Sequence, residues 1–122
     1  MKIKVTNTRG GWETYDFPRI PGVDMYRFLT YFDCPVRRDG RWLVFPSEGV
    51  YHTWYFRMRA YQSALHQLET VRDVDPAFVS RLIEAGEEYL GRGDLPGWLR
   101  FIDYWMNKWV WDTITPLVEE EK

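Results

Sequence analysis

Cys34, His52, His66 and the neighbouring carboxylates Asp73 and Asp75 are the residues of this 122-residue chain whose types could carry catalysis or hold a metal. A nucleophile needs an adjacent base, and acid–base chemistry needs positioned titratable groups. A metal needs three or four ligands converging on one point. His52 and His66 would stand about 21 Å apart along a helix, too far to share one ion. Asp73 and Asp75 have local readings as turn and capping residues. Cys34 precedes Pro35 at an expected strand start, where nothing local lowers its pKa, so it reads as a small buried hydrophobe. The glycine-rich segment Gly91–Gly97 joins two expected helices. It lacks the preceding strand and the G-x-G-x-x-G spacing of a phosphate loop, and its Arg92-Gly93-Asp94 tripeptide reads as coincidence. The sequence therefore points to no cofactor, no metal centre and no catalytic set.

What the chain does have is rings and arginines. Seven tryptophans occur, four of them between Trp98 and Trp111, and arginine outnumbers lysine twelve to four. On a helical wheel Trp98, Ile102, Trp105 and Trp109 share one face and read as core. Tyr104 and Trp111 fall on the opposite side among Arg100, Asp103, Asn107 and Lys108. Either the N-terminal hairpin or the tail covers these two rings, or they face a partner. A second non-core stripe, on the helix expected from about Val50 to Arg72, carries His52, Arg59 and His66 every seven residues, with Tyr55, Gln62 and Ser63 alongside. A third candidate is the segment Arg37-Arg38-Asp39-Gly40-Arg41-Trp42. A two-residue turn at Asp39-Gly40 would set Arg38 opposite Arg41 and Arg37 against Trp42 as a cation–π pair. The residues expected to meet a partner are Tyr104, Trp111, Tyr55, Arg59, Arg37, Arg38 and Trp42. Rings would anchor and arginines would steer.

The elements that must position these groups are legible from periodicity and breakers. Met1–Asn7 alternates polar and apolar residues, Trp12–Phe17 is rich in β-formers, and Arg9-Gly10-Gly11 supplies a turn, which predicts one hairpin. Val36–Arg38 and Arg41–Phe45 predict a second. Between them Asp24 caps a short helix through about Phe32. Ser47 then caps a helix from about Val50 to Arg72 with the core stripe Trp54, Met58, Tyr61, Leu65 and Leu68. Asp75-Pro76 starts a helix that Gly91 stops, with Phe78, Val79, Leu82, Ile83, Tyr89 and Leu90 apolar and Glu84, Glu87 and Glu88 opposite. Asp94 and Pro96 start a last helix running to Thr115, where Pro116 ends it. The fold class is α+β: a small antiparallel sheet of two hairpins (ββαββ) followed by three α-helices packed on it. Residues 1–118 read as one domain and 119–122 as an acidic tail.

Composition bounds the function. Apolar residues at 45% and charged residues at 28% suit a folded globule. A single cysteine excludes an internal disulfide, no stretch approaches the length of a bilayer span, and the N-terminus lacks the apolar run of a signal peptide, so a cytoplasmic, non-membrane protein is expected. The net charge of −2 hides an asymmetry: residues 1–60 hold ten Lys/Arg against six Asp/Glu, and residues 61–122 six against twelve. Three function classes follow. The first is a non-catalytic interaction protein with a protein partner, a character that suits a phage or mobile-element accessory factor that binds and inhibits or redirects a host nucleic-acid enzyme. The second is direct nucleic-acid binding through the basic hairpin 36–42 and the 50–72 helix. The third is a small enzyme whose site assembles around His52 and His66. Homodimer formation competes for the same exposed rings.

Overall fold

Lys2–Thr6 (β1) turns Ile3 and Val5 inward and Lys2, Lys4 and Thr6 outward, the alternation that half-buried strands require. In the computed structural model of the chain, the backbone is described for residues 1–120 and the side chains for residues 1–113. Trp12–Asp16 (β2) pairs antiparallel with β1. The turn between them is held by Asn7, whose Oδ1 accepts the N–H groups of Arg9 and Gly11, both at 3.0 Å. Met25–Tyr31 (α1) follows, its Asp24 cap accepting the N–H of Arg27. Arg37–Asp39 (β3) and Trp42–Phe45 (β4) form the second hairpin.

The α+β class holds, with one helix inside ββαββ and three after it, but the sheet is mixed. Its order is β2-β1-β4-β3, and β1 runs parallel to β4. Ile3 and Val5 of β1 and Leu43, Val44 and Phe45 of β4 are all buried, whereas β2 and β3 are mostly exposed. The two most apolar strands therefore take the centre, and the polar ones take the edges where one side faces water. The crossover that a parallel pair demands is supplied by the stretch containing α1.

The second turn also differs from expectation. Asp39 pairs with Trp42, Arg38 with Leu43 and Arg37 with Val44, so the two loop residues are Gly40 and Arg41 rather than Asp39 and Gly40. Gly40 has φ 58° and Arg41 is not left-handed, the pattern of a type II′ turn. That turn asks a positive φ of the glycine alone, whereas a type I′ turn one residue earlier would have forced Asp39 there too. The like-charge pair Arg38/Arg41 and the Arg37/Trp42 stack are consequently not formed.

Glu48–Arg72 (α2) carries the chain from one compact unit, Met1–Ser63, into a second that begins at Ala64. In the first unit, α1 and the start of α2 supply Met25, Leu29, Tyr51, Trp54 and Met58 to the core. Phe17 and Phe45 lie 5.1 Å apart, and the Tyr51 hydroxyl donates to the Asp16 carbonyl at 2.7 Å. In the second unit, Pro76–Gly91 (α3) packs along Leu95–Glu120 (α4), burying Val79 and Leu82 against Leu95, Trp98, Ile102 and Met106. Gly86 makes room for that packing: a Cβ there would stand 2.9 Å from the Trp98 Nε1. The α4 backbone continues past Thr115 and through Pro116 to Glu120. Proline forfeits one backbone hydrogen bond and crowds the preceding turn, but its φ is helical, so a helix already propagating crosses it. Of the acidic tail at 119–122, only the helical backbone of Glu119 and Glu120 lies within the described residues.

Among the described residues, no helix is long and apolar enough to cross a membrane. Cys34 is buried, and burial pushes its thiol up to about 12 despite a backbone hydrogen bond at Val36 and the nearby Arg57. A raised folded-state pKa means that stability is fully present below the unfolded value of about 8.5 and is lost as pH rises toward 12. Native protein at pH 8 is expected to react with a thiol-specific disulfide reagent far more slowly than protein unfolded in urea. Equal rates in the two states, followed by absorbance, would contradict this protection.

Candidate functional site

Helix α4 is ten residues longer than α3, and the indole N–H of Trp109 donates to Asp75 at the start of α3 over 3.1 Å. Beyond residue 109, α4 therefore outruns its partner helix. Its buried stripe is Leu95, Trp98, Ile102 and Met106, with Trp109 half-buried and stacked on Phe78 at 6.1 Å. Trp105, expected in the core, is 37% exposed. It lies one helical step off the stripe, over a shallow apolar groove formed with Phe78, Leu82, Ala85 and Phe101.

Tyr104 and Trp111 are exposed to 61% and 69%. Both line one recess with Arg100, Asp103, Asn107, Lys108 and Asp112. Tyr104 stands edge-on to Trp105 at 5.3 Å, and Trp105 stands edge-on to Phe101 at 6.5 Å. Rings thus run from the groove to the outer edge of the helix. Lys108 pairs with Asp112 at 3.7 Å, an exposed contact worth little to stability.

The hairpin candidates separate. Cross-strand partners share a face, so Arg37 and Trp42 lie on the outer side of the sheet and Arg38 on the inner side. Arg38 reaches across Tyr26 of α1, 5.7 Å from the ring centre. Trp42 is flanked by Lys4 at 4.9 Å and Arg41 at 5.8 Å, and Lys4 also lies 4.1 Å from the Trp12 ring. Trp12, 57% exposed, and Lys4 stand outside the partner-binding residues expected from the sequence. The alternation of β1 already placed Lys4 outward, but its meeting with two tryptophans depends on the parallel β1–β4 register.

On α2, Tyr55 is half-buried, 5.8 Å from Tyr51 and edge-on to Phe56, while Arg59 is exposed. Phe56, 67% exposed beside Tyr55, is a further ring not anticipated. His52 and His66 are both exposed. No three His, Cys, Asp or Glu gather to hold a metal among the described residues. The Tyr15 hydroxyl sits 2.6 Å from Glu13 and 3.0 Å from Glu48, and these carboxylates hold it neutral by raising its pKa above the ordinary tyrosine value. The charge asymmetry coincides with the fold: the unit Met1–Ser63 holds ten Lys/Arg against six Asp/Glu, and the rest of the chain six against twelve. Comparison with protein-family models, curated proteins and solved structures finds no match.

Proposed function

We propose that the chain is a non-catalytic interaction protein that docks on another protein through the exposed ring edge of α4. The observation that carries this reading is the exposure of Tyr104 and Trp111 around one recess on a helix whose Leu95, Trp98, Ile102 and Met106 are buried. Exposed aromatic anchors bordered by charged groups are the usual composition of an interface hot spot. The excess of acidic groups in this part of the chain, with Glu84, Glu87 and Glu88 exposed on α3, favours a partner with a basic surface. Enzymes that act on nucleic acids carry such surfaces. Inhibition or redirection of one in the cytoplasm, as by a phage or mobile-element accessory factor, is the function that fits.

The test compares affinity capture by the unaltered chain and by the double variant Tyr104→Ala/Trp111→Ala. Each ring is expected to contribute about 2 kcal/mol, so the pair lowers affinity by roughly a thousandfold, with thermal stability changed by less than about 1 kcal/mol. A partner held equally by both proteins would remove the α4 edge from the interface. Light scattering of the two proteins separates this from self-association: a dimer lost in the double variant would assign the same rings to a homodimer.

A further inference from the structure

The outer face of the four-stranded sheet has a composition of its own. Cross-strand pairing places Lys2, Lys4 and Thr6 of β1, Trp12 and Thr14 of β2, Trp42 of β4 and Arg37 of β3 on that one side. Trp12, Lys4 and Trp42 form a diagonal row across three strands, and the guanidinium of Arg41, in the turn at the end of the sheet, lies 5.8 Å from the Trp42 ring. The carboxylate of Asp16 on this face is taken up by Lys2 at 2.9 Å, which also holds it below the usual carboxylate range. Asp39 on the edge strand is the remaining acid of this face. Lys4, Arg37 and Arg41 make no ion pair among the described residues. Cations left without carboxylates, beside a ring that is more than half exposed, fit a ligand that is both anionic and aromatic.

We propose that this face binds single-stranded nucleic acid. An unpaired base stacks on Trp12, while Lys4, Arg37 and Arg41 meet the backbone phosphates. A ring and a basic track together bind single strands without reading their sequence, since every base has a π-face and every nucleotide a charge. The excess of ten Lys/Arg over six Asp/Glu in the unit Met1–Ser63 supplies the complementary field. A duplex offers no such base face, so discrimination against double strands follows from the same geometry. This surface shares no residue with the α4 edge, and the two readings stand or fall separately.

Fluorescence polarisation with labelled fifteen-nucleotide oligothymidylate and oligouridylate decides the matter. At 50 mM salt and micromolar protein, binding to either strand is expected, and weaker binding to a duplex of equal length. Three neutralised phosphates would weaken binding roughly 15- to 20-fold between 50 and 200 mM salt. Trp12→Ala is expected to lower affinity by roughly tenfold or more. Trp12 is exposed, so this variant keeps its fold, which circular dichroism verifies. Arg37→Glu/Arg41→Glu is expected to lower affinity at least as far, without touching a buried group. No polarisation change with either oligonucleotide would overturn the proposal. So would binding that both variants retain in full, or a dimer in light scattering that Trp12→Ala dissolves, since that would give the face to a second copy.

Discussion

Trp98→Ala lowers the unfolding free energy by about 3–5 kcal/mol, the largest single loss expected in the chain. Trp98 is only 4% exposed, and its indole lies against the bare backbone of Gly86 on α3. Removing it strips apolar burial and opens a void that two helices joined by a short turn cannot fully close. Against a total of about 5–15 kcal/mol for a native protein, a loss of that size moves the thermal midpoint by about 10–20 °C. The reciprocal change identifies the contact. Gly86→Ala would gain up to about 1 kcal/mol of helix propensity if the site were open. With Cβ at 2.9 Å from the indole nitrogen it is expected to cost about 1–3 kcal/mol instead. In the Trp98→Phe background that penalty should shrink, because the smaller ring withdraws the obstructing atoms. Urea denaturation of the four proteins measures the coupling, and additivity would show that the two residues do not touch. Trp12→Ala, the same truncation at an exposed ring, is expected to cost less than about 1 kcal/mol.

Asp75→Ala is expected to cost about 2–4 kcal/mol, more than an ordinary helix cap, because this carboxylate does two things. One oxygen accepts the Phe78 N–H at 3.2 Å and caps α3, and the other accepts the Trp109 indole N–H at 3.1 Å. A lost cap costs roughly 0.5–2 kcal/mol, and a part-buried donor left without its acceptor adds roughly 1–3. Asp75→Asn keeps one acceptor oxygen and can serve only one of the two donors, so about half of the loss is expected. Asp24→Ala and Asp94→Ala, which remove caps that among the described residues accept Arg27 N–H and Gly97 N–H, provide the comparison at about 1 kcal/mol each. If Asp75→Ala cost no more than these, the indole bond would contribute nothing. Near-ultraviolet circular dichroism reports whether Trp109 has been released.

These two sites show where the sequence is informative. All four helix starts were readable, because a cap is a transaction within four residues: Asp24, Ser47, Asp75 and Asp94 each accept the N–H three positions on. The α2 core stripe was readable for the same reason, as Trp54, Met58 and Leu68 are buried at the predicted helical spacing. The second function of Asp75 was not readable. Its partner Trp109 lies thirty-four residues away, and only the antiparallel alignment of α3 with α4 brings them together.

The candidate surfaces divide along the same line. Helical phase alone set Tyr104 and Trp111 apart from the core, and the structure leaves both exposed. Phase also put Trp105 in the core, wrongly, because the width of a buried stripe depends on the partner helix and not on the helix itself. The turn of the second hairpin lies one residue later than its Asp39-Gly40 signal implies, which moves each cross-strand partner by two positions and so changes the neighbours of Arg37 and Arg38 but not the faces they share. What the pairing with β1 adds is which of those two faces is the inner one, since Val5 lies beside Phe45 and Lys4 beside Val44. By itself, then, the sequence determined the elements, their caps, the α+β class and the uneven charge of its two halves, all properties of neighbours along the chain. Tertiary structure alone decided that β1 lies parallel to β4, and so that Lys4 stands between Trp12 and Trp42. Contacts between segments distant in sequence are selected by how the most apolar strands share one interior, and no local pattern encodes that competition.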